Sequence, residues 1–234
     1  MKICVTSDHH GMLPLYPSYF WEQLNDTEIL CICGDIIPLR IQTNMLESLK
    51  WLLEEFKPWA EALPVEKVIF IGGNHDFVCE RKKKDVQEMF PLSSKVTYLH
   101  NSGLEYVSIQ DSKTYSIFGT PYCHQFGNWA FMLSEEKLKE KFNEIPENLD
   151  ILITHDAPYG TSDICFEGFA ASKGHIGCPE LRDAIIEKKP SWCFHGHLHT
   201  SNHEIETLEF TKVINCSILD ESYDIVFYPN IIQL

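Results

Sequence analysis

Five short β-rich runs in this chain end in, or lead directly into, side chains of the kinds that bind metal ions, and that regularity constrains the fold more than any other feature. "KICVTS" (2–7) leads to Asp8 and His10, and "EILCICG" (28–34) leads to Asp35. "KVIFIG" (67–72) leads to Asn74 and His75, "DILITH" (150–155) ends on His155, and "SWCFHG" (191–196) opens onto His197 and His199. The runs are nearly continuously apolar, as strands covered on both faces are. Open α/β sheets form their active sites beyond the carboxyl ends of the strands. The five ends therefore converge on one place if the strands are neighbours in one sheet.

A sixth run, "YSIFGT" (115–120), completes the strand candidates, and helix candidates lie between them. Residues 43–62 place Met45, Leu46, Leu49, Leu52, Leu53 and Phe56 at helical spacing. A second helix spans about 134–143 with Ser134 as N-cap, and a third about 179–188 with Pro179 in its first turn and Pro190 beyond its end. From about 203 the chain changes to "HEIETLEFTKVINCSIL" and "YDIVFYPNIIQL", which read as antiparallel strands without helices. No repeat or linker interrupts the pattern, so residues 1–234 are expected to form a single α/β domain with two packed sheets.

Composition narrows the class. No stretch approaches eighteen consecutive apolar residues, which argues against a membrane span. The opening "MKICVTSD" is strand-like and leaves no room for a signal peptide. Nine cysteines, an odd number without a C-x-x-C pair, sit mostly in apolar runs such as those of Cys4, Cys31, Cys33 and Cys193. Buried thiols in a reducing cytoplasm are expected, with Cys123 and Cys165 the two in loop-like surroundings. A formal net charge of −15 repels a nucleic-acid backbone, so long DNA or RNA is disfavoured as a partner and a small phosphorylated molecule is not. The basic run "RKKK" (81–84) reads as a solvated helix start.

The candidate ligands mix carboxylate, imidazole and one amide oxygen, which suits Mn, Fe or Zn better than Ca or Mg. In an extended segment residues i and i+2 point to the same side, so Asp8 with His10, and His197 with His199, would each aim two side chains into one site. Gly34 permits a sharp turn that delivers Asp35. His9 and His195 fall outside the set and are expected to be structural. Asp76 and Asp156 adjoin members of it and are candidates for orienting imidazoles. His100, His124, His175 and His203 carry no pattern, although His124 and His175 lie in loops that border the strand ends.

In this order, the elements resemble the calcineurin-like metallophosphoesterase superfamily, whose pattern is D-x-H, G-D, G-N-H-[DE], H and G-H-x-H. They stand here as Asp8-x-His10, Gly34-Asp35, Gly73-Asn74-His75-Asp76, His155 and Gly196-His197-x-His199. The resemblance implies a four-layer α-β-β-α sandwich of two mixed sheets flanked by helices. It implies two divalent or trivalent metal ions, manganese foremost, with iron, zinc, nickel or cobalt as alternatives. Asp8, His10 and His199 would hold one ion, and Asn74, His155 and His197 the other. Asp35 would bridge the two. Asp35, Asn74 and His75 are the implied catalytic residues, with His75 stabilising developing charge and protonating the leaving oxygen rather than binding metal. Paired metals of this kind generate a hydroxide nucleophile and clamp the phosphoryl oxygens in line.

Two departures and a closer match refine the substrate. Protein Ser/Thr phosphatases of the superfamily carry G-D-x-x-D-R-G, whose second Asp pairs with the catalytic histidine. Here the sequence is "GDIIPLR", with Pro38 at that position, and Asp76 stands where those enzymes have Glu. "GTPYCHQFGNWAF" (119–131), "IPENLDILITHDAP" (145–158), "GCPEL" (177–181), "INCS" (214–217) and "PNIIQL" (229–234) are similar to the metallophosphoesterase-domain-containing proteins, a family of animal brain and microbes associated with cyclic-nucleotide phosphodiesterase activity. That resemblance implies hydrolysis of cyclic nucleotides or similar small phosphodiesters. Alternatives are a nuclease or nucleotide phosphatase on the same site, or a non-catalytic protein-binding scaffold. The loops "GMLPLYPSYFW" (11–21) and "YGTSDICFEGFAASKGHIG" (159–177) are the candidate substrate-facing elements, their aromatics able to stack on a base. The partner expected is a small phosphorylated molecule, a nucleotide foremost; no membrane is expected, and the oligomeric state is left open.

Overall fold

A computed structural model describes residues 1–13, 22–165, 174–199 and 203–234. Two mixed sheets form its centre. The first runs in the order Asn230–Gln233, Lys2–Thr6, Ile29–Ile32, Lys67–Phe70 and Val96–Tyr98; the last four are parallel and Asn230–Gln233 is antiparallel to Lys2–Thr6. The second runs Glu206–Leu208, Thr211–Asn215, Trp192–His195, Ile151–Thr154, Thr114–Thr120 and Ser102–Val107, parallel in its four central strands and antiparallel at both edges.

The continuous apolar character of the central strands follows from burial on both faces. Ile3, Val5, Ile69, Ile117, Ile153 and Phe194 belong to one cluster between the sheets. The opposite face of the first sheet, including Leu30, Val68 and Phe70, packs with Leu52, Phe56, Ala60 and Val86 of its covering helices. Leu152 and Cys193 of the second sheet pack with Leu138, Phe142, Leu181 and Ile185 of the helices Glu135–Asn143 and Pro179–Lys188. The four-layer α-β-β-α sandwich is therefore the observed architecture. Among the described residues no helix is long and apolar enough to cross a membrane.

Several expectations change in detail. The five ligand-bearing strands are not neighbours in one sheet: three lie in the first and two in the second. The ends meet nonetheless, because the central strands of the two stacked sheets deliver their carboxyl ends to a common edge. The helical run over 43–62 appears as Met45–Trp51, a π-helical segment Leu52–Phe56, and Lys57–Ala62. Leu46 and Leu53 of its apolar set are 78% and 52% exposed, the core stripe being Met45, Leu49, Leu52, Phe56 and Ala60.

Ser134 stands at the N-cap, but its side chain makes no capping bond. Pro179 begins its helix as expected, and the side chain of Cys178 caps it by accepting from Leu181 N–H. The closing segment contributes a hairpin, Glu206–Leu208 with Thr211–Asn215, but its last strand crosses to the first sheet. The basic run divides between the end of helix Phe77–Arg81 and the start of helix Lys83–Met89. The strands Val96–Tyr98 and Ser102–Val107 have no counterpart among the sequence candidates. Ser102–Val107 lies at an edge and alternates between half-buried and exposed residues, so no continuous apolar run marks it.

Candidate active site

The ligand-bearing residues begin where the strands stop, and the chain bends to deliver them. Asp8 (φ 59°), His10 (φ 44°), Asp35 (φ 53°) and His197 (φ 71°) all adopt left-handed backbone, at a cost of order 1–3 kcal/mol each for a non-glycine residue. The expected extended i, i+2 geometry is thus replaced by tight turns, which bring the backbones close enough to tie together. Asp8 N–H donates to Gly34 O at 3.1 Å and His10 N–H to Asp35 O at 2.9 Å. His197 N–H donates to Asp8 Oδ2 at 2.9 Å, and His75 N–H to Asp35 Oδ1 at 2.8 Å. Glycine is required where these turns touch: a Cβ at Gly73 would overlap the Asp35 carboxylate, and one at Gly196 the Ser7 hydroxyl.

The seven expected ligands come together around Asp35. Its Oδ2 lies 3.8 Å from His10 Nε2 and 3.4 Å from His155 Nε2. On one side, donor atoms of Asp8, His10 and His199 lie within 4.8 Å of one another, with Asp8 Oδ1 3.5 Å from His199 Nε2. On the other, Asn74 Oδ1 is 2.9 Å from His155 Nε2, and the His155 and His197 rings are 5.2 Å apart. Asp8 borders both groups, since its donor atom also lies within 4.8 Å of those of Asp35 and His155.

The hydrogen bonds at the rear of the site decide what these atoms can bind. His155 Nδ1 donates to Cys33 O at 2.8 Å, and His199 Nδ1 donates to Asp220 O at 3.0 Å. Each neutral ring therefore presents a lone pair at Nε2, and that lone pair faces acceptor oxygens: Asn74 and Asp35 for His155, Asp8 for His199. Lone pairs facing carboxylates repel unless a cation lies between them. With a proton as that cation, burial opposes the charge on His155, but Asp35, together with Asp8 and the Cys33 carbonyl, outweighs it and raises the imidazole to about 10. Burial opposes the charge on His199 as well, and Asp8, with the Asp220 carbonyl and Asp35, outweighs it to raise that imidazole to about 9. Both carboxyls stay below their usual range despite burial, through these imidazoles. His10 and His197 are lowered to about 4, foremost by burial. Neither ring nitrogen of His10 has a hydrogen-bond partner among the described residues. Neutral imidazoles with rear nitrogens tied to carbonyls, facing buried carboxylates, are what a metal ion requires of its ligands, and the donor set fits the two expected ions.

The neighbouring groups take roles the sequence left open. Asp76 does not orient an imidazole; it accepts from the backbone N–H groups of Ile36, Ile37 and Gly73 at 2.8–3.2 Å and locks together the turns that carry Asp35 and Asn74. Burial and the Asp35 charge push its carboxyl up to about 7. Asp156 orients an imidazole, but it is that of His124, at 2.7 Å, rather than a member of the set. His9 and His195 are buried and bonded to Thr6 Oγ1 and Gly196 O, in keeping with structural roles. The eight cysteines whose side chains are described, Cys123 included, are free and buried, and the Cys165 side chain lies outside the described set.

His75 stands at the mouth, held by groups that sequence reasoning missed. Its Nδ1 meets Gln42 Oε1 at 2.6 Å. Its ring lies edge-on to His10 at 4.9 Å and tilted against Trp129 at 4.5 Å. Phe126 covers His197 at 5.2 Å, and Tyr223 meets the rings of His10 and His199 at 5.2 and 5.4 Å. Phe126 and Trp129 are 51% and 38% exposed. The aromatic wall is thus built from 126–129, within "GTPYCHQFGNWAF", whose density of aromatic residues was its visible signal. Of the two loops expected to face substrate, residues 14–21 and 166–173 lie outside the described residues.

The sequence model of the calcineurin-like phosphoesterase family matches residues 1–201. The chain is 27% identical over 249 residues to human metallophosphoesterase domain-containing protein 1, covering 99% of this chain and 70% of that protein. It is 28% identical over 229 residues to UPF0046 protein T07D4.2 of Caenorhabditis elegans, covering 88% of this chain and 54% of the relative. The chain thus spans about half the length of that nematode relative. One crystal structure with 14% sequence identity superposes with a TM-score of 0.69, covering 99% of this chain and 98% of the other.

Proposed function

The chain belongs to the calcineurin-like phosphoesterase family, a class of metal-dependent phosphoesterases, and on that premise we propose that it is a phosphodiesterase acting on cyclic nucleotides or similar small diesters. The observation that carries the metal-dependent chemistry is the pair of imidazole lone pairs facing Asp35 and Asp8, an arrangement that favours a cation at each. Asp8, His10 and His199 would hold one ion and Asn74, His155 and His197 the other, with Asp35 shared and manganese the foremost candidate. When bound, two such ions supply a nucleophilic water at neutral pH and neutralise the phosphoryl oxygens.

The remaining work falls to the protein's own groups. His75 delivers a proton to the leaving oxygen as the P–O bond breaks, and its backbone N–H fixes the Asp35 carboxylate. The bond from His155 Nδ1 to Cys33 O and that from Ala130 N–H to Asn74 O hold one side of the cluster in register. Phe126 and Trp129 at the mouth suit a planar base. The net charge of −15 disfavours long nucleic acid as substrate. Free, buried cysteines are compatible with a cytoplasmic setting.

Metal-stripped protein reloaded with Mn²⁺ tests this reading on bis-p-nitrophenyl phosphate and p-nitrophenyl phosphate, beside Asn74→Ala and His75→Ala. Metal-dependent turnover that favours the diester and collapses in both variants is expected. Preference for the monoester would reassign the protein as a phosphatase, and inactivity on both would remove the catalytic reading. Comparing 2′,3′- and 3′,5′-cyclic AMP with glycerol cyclic phosphate then tests the base: equal kcat/KM for the last would sink the nucleotide assignment.

A further inference from the structure

His75 lacks the partner that the superfamily's protein phosphatases supply. Pro38 occupies the position of their pairing carboxylate, and its ring offers no acceptor; it packs instead against Gly11, where a Cβ would collide with it. The acceptor comes from four residues further along. Gln42 Oε1 lies 2.6 Å from His75 Nδ1, while the described residues offer no hydrogen-bond partner to Nε2. We propose that Gln42 is the positioning residue for His75, its amide oxygen holding Nδ1–H so that Nε2 is the nitrogen that serves the leaving oxygen.

The turn behind Gln42 is built to hold it still. Ile41 N–H donates to Pro38 O at 3.0 Å and Asn44 N–H to Ile41 O at 2.8 Å. Ser48 Oγ–H donates to the same Ile41 carbonyl at 2.9 Å, and Ile41 itself is buried. On the histidine's side, the backbone bond to Asp35 and the rings of His10 and Trp129 limit swivelling. The Gln42 bond supplies what ring packing cannot, the choice of which nitrogen faces away. During turnover the proton on Nε2 passes to the leaving oxygen, which takes the electron pair of the broken P–O bond, and the ring is left neutral with Nδ1–H still on Gln42. This inference rests on the reading of His75 as the acid for the leaving group.

Two measurements test it. The ¹⁵N spectrum of histidine-labelled, metal-free protein is expected to show His75 protonated at Nδ1 in the wild type and redistributed toward Nε2–H in Gln42→Leu. A neutral wild-type ring carrying its proton on Nε2, or an unchanged Gln42→Leu spectrum, would overturn the inference. The second uses Mn²⁺-loaded enzyme with aryl methyl phosphates from p-nitrophenyl to phenyl leaving groups. Gln42→Leu is expected to lose about 10–100-fold in kcat on the phenyl ester, the scale on which losing the partner that orients a metal-ligating histidine is felt, with a much smaller loss on the p-nitrophenyl ester. Gln42→Glu, which retains an acceptor at the same reach, should restore the wild-type slope, and in a His75→Ala background Gln42→Leu should add nothing. If His75→Ala does not steepen the leaving-group dependence, the acid role of His75 fails. If His75→Ala steepens it and Gln42→Leu does not, the assignment of Gln42 alone fails.

Discussion

His155 and Asp156 are neighbours in the chain, yet they belong to clusters of opposite character. His155 joins Asp35, Asn74, Asp8 and the other imidazoles at the strand ends. Asp156 turns the other way, to His124 and Cys178, whose donor atoms also lie within 4.8 Å of one another. By ligand type and distance the two clusters look alike. They differ in how donors and acceptors are matched. Asp156 Oδ2 accepts from both His124 Nδ1 and His124 N–H, at 2.7 and 2.8 Å, and Cys178 Sγ accepts from Leu181 N–H at 3.4 Å as a helix cap. Asp156 Oδ1 has no partner among the described residues, but no lone pair is forced against another. At Asp35 and Asp8 the rear bonds of His155 and His199 leave acceptors facing acceptors. Proximity of metal-binding residue types is therefore a weak sign of a metal site; a buried surplus of acceptors is a strong one.

The largest effect should come from Asp35→Asn, which removes the charge that the two ligand groups of the strand-end cluster share. Bound Mn²⁺, measured by elemental analysis after dialysis, is expected to fall from two ions per chain to one or none, and metal-dependent diester hydrolysis by about 10³-fold, at the upper end for loss of a single electrostatic stabiliser. His124→Ala should keep the full complement of metal. An ion lost with His124 would break the comparison, placing a metal in the matched cluster instead.

What the sequence disclosed follows the same division. The β-runs and the residues at their ends were legible because each carries its own signal: apolar continuity for a strand buried on both faces, and ligand types crowded just beyond. Asp8, His10, Asp35, Asn74, His155, His197 and His199 were all identified this way, and the structure gathers them. The partition of those strands between two sheets was hidden, since a parallel strand reads alike in either sheet. Gln42 was hidden for a different reason. Its pairing with His75 spans 33 positions and depends on how the turn over 38–44 folds, which no local pattern records. The left-handed backbone of Asp8 and His10 was likewise invisible, because Asp-x-His reads as extended until the cross-bonds from Gly34 and Asp35 are seen.

Asp156→Asn sharpens the comparison at intermediate size. Removing one partner of a buried ion pair costs about 3–5 kcal/mol when it strands the other charge. His124 is partly exposed, so about 2–3 kcal/mol is expected, read as a lower urea midpoint. Metal stoichiometry should remain that of the wild type. A loss of metal with unchanged stability would mean that Asp156 serves the centre rather than the scaffold.

Glu28 gives the smallest of these effects and shows how a buried carboxylate behaves when its acceptors are fully matched. Just ahead of the first sheet's Ile29–Ile32, it accepts from Ser108 Oγ, Ile109 N–H, Gln110 N–H and Tyr106 Oη at 2.7–3.0 Å, tying that sheet to the end of the second sheet's edge strand Ser102–Val107. Burial opposes its charge, yet these donors hold its carboxyl below the usual range. A lowered folded value means that the contribution is complete above the unfolded pKa of about 4.3 and disappears as pH falls through the folded value. Glu28→Gln is expected to destabilise by about 1–3 kcal/mol at pH 7, the scale of hydrogen bonds to a charged group. The gap between variant and wild-type urea midpoints should narrow below about pH 4. A gap constant with pH would mean that shape and packing at this junction matter, and the charge does not.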